Sequence, residues 1–312
     1  MIAILMATYN GEKYLAQQIN SLLAQTNQDF VLYINDDVST DNTLEIAQNY
    51  AQNHPDKIQV TQNKTNTGNA KYNFLNMIVA ENQAPNADYI MLCDQDDIWL
   101  PTKIEKTLAK MKEMEAKYPQ ATPLLVHTDL SVVNQDLNIL HNSFKHATKR
   151  DYDRMQYRHI VTINNVTGCT AMYNRALANL LVQKPSYTMM HDWWLQLVAA
   201  SLGKIDHVDE PTMLYRQHEK NTLGAKNVRS LSYKLDRLRN NKQLSKDIHA
   251  TFTQAESLLD CHKQRLSETQ IKFLERYKSI PTKGKLGRIL EIVRLRVFMK
   301  GLSRNIAFFM FV

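Results

Sequence analysis

The chain has 312 residues, 44% hydrophobic and 22% charged, which suits a globular protein with a sizeable core. At roughly 100–200 residues per domain, it fits one large domain or two ordinary ones. The net charge of +7 permits a polyanionic partner without choosing one. Cys93, Cys169 and Cys261 are too sparse for a disulfide framework or a zinc pair and suit a reducing compartment.

Met1 to Met6 has no basic leader and no small-residue cleavage site, so it reads as a first strand rather than a signal peptide. The apolar run Ile2 to Ala7 suits a strand buried on both faces, and Thr8 to Gly11 a turn. Leu15, Ile19, Leu22 and Leu23 recur at helical spacing. Phe30 to Ile34 is a second strand, and the loop Asp36 to Asp41 carries helix-capping residues ahead of a helix from Thr43 to Tyr50. A weaker strand covers Lys57 to Thr61, a turn Asn66 to Asn69, and a helix runs on to about Glu81. Asp88 to Cys93 is a fourth strand, ending in Asp94-Gln95-Asp96-Asp97.

Strands alternating with helices predict an α/β fold with a mostly parallel sheet. Ligands in such sheets bind outside the carboxyl ends of the strands. The loops Thr8–Gly11, Asn35–Asp41 and Asp94–Asp97 are therefore expected to open onto one crevice. Carboxylates there could hold a hard cation, Mn²⁺ or Mg²⁺, that bridges a diphosphate; a solvated acidic turn capping a helix is the other reading.

Leu124 to His127 is strand-like, and Val161 to Ile163 leads into a second strand-and-turn region, Asn164 to Tyr173. Met189 to Leu195 opens an apolar helix to about Leu202. Beyond about 226 the sequence turns basic and helical, which places a boundary near 225. In 283–312, apolar residues at three- and four-residue spacing interleave with Lys and Arg, ending in Ala307-Phe308-Phe309-Met310-Phe311-Val312. That pattern suits an anionic membrane surface, or a helix packed on the rest of the protein or on a second copy in a homo-oligomer. The acidic crevice motifs, and basic helices without interleaved stacking aromatics, argue against nucleic acid.

Three motifs, Ala7 to Leu15, Asn35 to Thr43 and Cys93 to Trp99, together resemble the family 2 glycosyltransferases of GT-A fold. The nearest likeness is to bacterial rhamnosyltransferases of cell-wall and capsule polysaccharide, and it covers roughly residues 1–225. It implies a nucleotide-sugar region at about 1–100, an acceptor region at about 101–225 and a helical, basic extension at 226–312. The donor implied is a nucleotide sugar, dTDP-rhamnose first and a UDP-hexose second; the acceptor is a glycan or lipid-linked glycan. Thr8, Tyr9, Asn10, Asp36, Lys71, Asp94, Gln95 and Arg216 would bind the nucleotide sugar, and Arg216 could instead pair with a nearby acid. Asp96 and His218 would hold the metal, though alone His218 reads as a loop histidine. Asp192 would be the catalytic base, in the ionised form that a helix N-terminus favours. Gly168, Trp193 and Trp194 would meet the acceptor, with core anchoring equally open to the two indoles.

One departure stands out. The family often has Gly where this chain has Val38, and Val resists positive φ, so the loop must run differently or be strained. A sugar nucleotidyltransferase would need a Gly-rich basic loop after the first strand, which Thr8 to Gly11 lacks. A non-catalytic binding protein would have no need of Asp192 beside the acidic cluster. The lack of a leader and the use of nucleotide sugars imply the cytoplasm, peripheral at the inner face of the plasma membrane where the basic tail makes contact.

Overall fold

Ile2 to Thr8 forms β1 as expected, and its neighbours follow: Phe30–Asp36 is β2, Ile58–Gln62 β3 and Tyr89–Cys93 β4. The helices between them are Leu15–Leu23 (α1), Thr43–Asn53 (α2) and Ala70–Gln83 (α3). The computed structural model describes residues 1–83, 87–218 and 241–312. Within these, contacts divide the chain into two interleaved units. One comprises Met1–Lys149, Val166–Lys184 and Lys204–Ala225; the other comprises Arg150–Asn165, Pro185–Gly203 and Lys226–Val312.

The first unit holds the sheet. After β4 come Ile98–Trp99 (β5), Lys103–Lys117 (α4), Leu124–Val133 (β6), Ile139–His141 (β7), Ala171–Asn174 (β8) and Lys204–Arg216 (β9). The strand order is β3-β2-β1-β4-β8-β6-β9-β5, with β7 on β6. The half built from residues 2–93 is parallel. Beyond it β8 runs antiparallel to both β4 and β6, while β6 and β9 are parallel, so the sheet as a whole is mixed. Ile4, Met6, Leu32, Ile34 and Met91 from the parallel strands join Ile104 and Met111 of α4 in one core. Alternation of short apolar runs with helical spacing is what β-α-β crossovers require, which is why this half was readable.

The strand β9 was not foreseen. Lys204 to Arg216 carries five acidic or basic residues and Pro211, none of which suggests a central strand. It is tolerated because the ladder with β6 shifts register on both sides of Asp129, the partner of Pro211. Nor does Val161 to Ile163 form a strand; the extended segment there is β8, entered through a single 3-10 turn at Gly168–Thr170.

The second unit is helical. It contains Tyr157–Ile160, His191–Leu202 and, after residue 240, helices at Asn241–His262, Glu268–Lys278, Lys285–Leu295 and Leu302–Phe311. Phe273 stacks on Tyr277 in its interior, Phe252 meets that ring at a tilt, and Tyr277 shares a hydrogen bond with Thr251 at 2.7 Å. Among the described residues no helix is long and apolar enough to cross a membrane.

Lys103, the first residue of α4, is fully buried under Trp99, with Nζ 4.8 Å from that ring and 3.3 Å from Thr212 Oγ1. Burial lowers its pKa from 10.5 to about 8. Between those values the unfolded chain binds more protons than the folded one, so this group adds stability as pH rises from about 8 to 10.5. Lys103→Met is expected to raise unfolding free energy at pH 7 by about 1–3 kcal/mol. Denaturant titrations across pH should show that advantage vanish near pH 10.5.

Candidate functional site

The site begins with register. Thr8 lies opposite Asp36, and Met6 opposite Cys93, so the three loops leave the sheet on one edge. Hydrogen bonds then lock them together. The Gln95 amide clamps the Tyr9 backbone, accepting from its N–H at 2.9 Å and donating to its carbonyl at 3.0 Å. Asn10 adopts a left-handed φ of 46°. Its N–H donates to Ser39 Oγ at 2.9 Å, and its Oδ1 accepts from the Thr40 N–H at 2.8 Å. A Cβ at Gly11 would overlap the Gln95 side chain, so only Gly allows this approach. The Tyr9 ring is left half exposed beside the loop.

Asp36 is fully buried and its carboxylate is occupied. Oδ1 accepts from Thr8 Oγ1 at 3.1 Å and Ser39 Oγ at 2.5 Å; Oδ2 accepts from the Ser39 N–H at 2.9 Å and Gln62 Nε2 at 3.0 Å. A carboxylate offers about four lone-pair sites, and these four donors from the chain use them. Asp36 therefore anchors the loop. Next to it, Asp37, which the sequence did not single out, is buried and accepts from Asn63 Nδ2, the Thr67 N–H and Thr67 Oγ1. Between Asp37 and Ser39, Val38 holds φ at 62°. The loop keeps the conformation a Gly would adopt and carries the strain of a β-branched residue there.

The acidic turn follows β4. His218 Nε2 lies 2.8 Å from Asp96 Oδ2, with both side chains only slightly exposed. Arg216, at the end of β9, is buried. Its Nε donates to the Asp96 carbonyl at 2.8 Å, Nη1 to the Gln135 carbonyl at 2.6 Å and Nη2 to Gln17 Oε1 at 2.7 Å. Its guanidinium also sits 4.4 Å from the Tyr14 ring, which packs against His218. The structure thus uses Arg216 to organise the turn. Asp97 is fully buried and accepts the Arg216 N–H on Oδ1 at 3.0 Å, while Oδ2 has no hydrogen-bond partner. Burial first, then Asp96 and Asp94, push its pKa well up.

Asp94, Asp97 and Cys169 place one ligand atom each within 4.8 Å of one another. Burial holds the Cys169 thiol well above its usual range, so it stays protonated and poorly suited to a hard cation. Asp96 Oδ2 and His218 Nε2, already 2.8 Å apart, offer one oxygen and one nitrogen ligand, a pair that Mn²⁺ accepts more readily than Mg²⁺.

Gly168 is buried and starts the 3-10 turn that delivers Cys169 to the acidic turn. Lys71 lies in the first turn of α3, its Nζ 4.5 Å from the exposed Tyr72 ring. Asp192, Trp193 and Trp194 belong to the helical unit. Asp192 sits in the first turn of its helix and accepts from Asn164 Nδ2 at 2.9 Å. Both indoles are buried: Trp193 Nε1 donates to the Ile160 carbonyl at 2.7 Å, and Trp194 stacks on His262 at 6.0 Å. Both are packed as core anchors, one of the two readings the sequence left open.

Comparison with known proteins bears on this geometry. The sequence profile of the family described as Glycosyl transferase family 2 matches residues 3–181, more than half the chain. The dTDP-rhamnosyl transferase RfbG of Shigella flexneri is 29% identical over 252 residues, covering 78% of this chain and 82% of that protein. Among solved structures, S. aureus TarS 1–349 superposes with a TM-score of 0.57 at 17% identity, over 98% of this chain and 77% of that one. TarS 1–349 in complex with UDP-GlcNAc gives 0.54 at 16%, over 94% and 90%. These structural likenesses carry the fold.

Val38→Gly should relieve the left-handed strain, worth about 1–2 kcal/mol, against roughly 0.5–1 kcal/mol of added unfolded-state freedom. Thermal unfolding is expected to rise by a few degrees or stay level. A clear fall would show that the Val38 conformation is unstrained.

Proposed function

The chain belongs to glycosyl transferase family 2, and from that premise we propose that it is an inverting, metal-dependent rhamnosyltransferase. It moves L-rhamnose from dTDP-rhamnose to a hydroxyl of a growing, lipid-linked cell-surface polysaccharide. The rhamnose reading is supported by the similarity to RfbG. The observation that carries the metal reading is the Asp96–His218 pair at 2.8 Å beyond the end of β4. In this reading residues 1–100 bind the nucleotide sugar, 101–225 serve the acceptor and 226–312 form the extension.

Asp96 and His218 would hold a divalent cation, which when bound supplies positive charge to the departing diphosphate. Thr8, Tyr9 and Asn10 line the nucleotide side, their loop held by Gln95 and anchored through Asp36. Asp94 faces the ribose. Asp192 accepts the acceptor hydroxyl's proton as the new bond forms, and Asn164 fixes the orientation of its carboxylate. From a β-linked donor, inversion yields an α-L-rhamnoside. Placement at the cytoplasmic face follows from the donor's chemistry.

A UDP-hexose donor is the second reading, since TarS, a neighbour in fold, has been solved with UDP and with UDP-GlcNAc. Diphosphate-nucleotide release from dTDP-rhamnose and from UDP-sugars, with Mn²⁺ or EDTA, separates the two. Metal-dependent release from dTDP-rhamnose alone is expected; release from a UDP-sugar instead would replace the donor. Asp192→Asn should lower turnover about 10²–10⁴-fold with donor affinity retained. Asp96→Ala should abolish the metal dependence of donor binding in calorimetry. An Asp192→Asn enzyme as active as the parent would remove that residue from the mechanism.

A further inference from the structure

The last two helices present apolar stripes away from the core they pack on. Label the four helices after residue 240 α9 (Asn241–His262), α10 (Glu268–Lys278), α11 (Lys285–Leu295) and α12 (Leu302–Phe311). In α11, Ile292 and Leu295 are buried and the helix packs on α10. Leu286, Leu290 and Val293, at i, i+4 and i+7, fall on the opposite side, and Leu286 is 83% exposed. In α12, which packs on α9, Phe308 is buried, while Leu302, Ile306 and Met310, at i, i+4 and i+8, are exposed, Leu302 at 77%. Among the described residues, six of the eleven large exposed apolar side chains lie on these two short helices. Lys285 Nζ donates to the Met310 and Val312 carbonyls, at 2.6 and 3.2 Å, and ties the start of α11 to the end of α12.

Charge decides the occupant. Residues 283–312 contain seven Lys and Arg and one acid, Glu291. That acid is buried and neutralised by Arg276 at 2.5 Å and Lys283 at 3.6 Å, so it offers nothing to a partner. Lys285 and Arg294 fall on the two flanks of the α11 stripe, and Arg296 and Lys300 are exposed in the link to α12. Lys300 reaches Asp151 at 3.5 Å, a loose surface pair. A second copy meeting the same face would bring cations against cations. Apolar stripes flanked by cations match a surface that offers acyl chains beneath negative headgroups.

We propose that α11 and α12 dock this chain on an anionic phospholipid surface, with Leu286, Leu290, Val293, Leu302, Ile306 and Met310 entering the headgroup boundary. The inference is independent of which sugar is transferred. The test is co-sedimentation of the full chain with phosphatidylcholine vesicles, with and without about one-third phosphatidylglycerol. Binding to the anionic vesicles is expected, weakening as salt rises from about 0.1 M to about 1 M. A Leu286→Gln/Leu302→Gln variant, with thermal unfolding unchanged because both side chains are exposed, should bind at least about tenfold more weakly. Arg294→Gln should cost about fivefold on anionic vesicles and little on neutral ones. Absence of binding to anionic vesicles, or equal binding by parent and leucine variant, overturns the proposal. So does light scattering that shows a parent dimer which the leucine variant dissolves without any vesicle binding; the face would then join two copies.

Discussion

The buried guanidinium of Arg216 is the tie on which the candidate site depends. Its three side-chain hydrogen bonds reach Gln17 on α1, the loop carbonyl of Gln135 and the carbonyl of Asp96, while its backbone N–H holds Asp97. Arginine cannot shed its charge, so it can be buried only where dipoles and carboxylates surround it on several sides. Burial, with Asp96 and Asp94 beside it, pushes the Asp97 pKa well up.

The carboxyl groups of this unit divide by what they touch. Asp36 and Asp37 are consumed by the loops they organise, accepting from Thr8, Ser39 and Gln62 and from Asn63 and Thr67. Asp96 is different, because its Oδ2 meets an imidazole that can serve as a metal ligand. Such an arrangement trades stability for a defined site, and Val38 in a left-handed conformation is part of that cost.

In the helical unit, Asp192 has a firm setting. Trp193 and Trp194 follow it directly in sequence and are pinned by the Ile160 carbonyl and the His262 ring. Thr188, just before the helix, donates to Gln254 of α9 at 2.8 Å. Two large anchors beside one acid fix the helix start, and Asn164 fixes the carboxylate's rotation. That rigidity fixes the position of the Asp192 carboxylate.

The parallel half of the sheet, the convergence of three loops at its carboxyl edge and the family itself were legible in the sequence. Buried parallel strands must be apolar along their whole length, and the loops after them must be polar; both are local properties. The conflict at Val38 came from the resemblance to a family that often has Gly there, and the structure takes the strained of the two alternatives. Partnerships were not legible. Arg216 could be read as facing a diphosphate or pairing with an acid, and the indoles as platform or anchor, because residue type states what a side chain can bind but not what it meets. Likewise β9, with its charges and Pro211, has no strand signature of its own. It is a strand because β6 offers it a ladder with room for a shifted register, and that choice is made only when distant segments pack together.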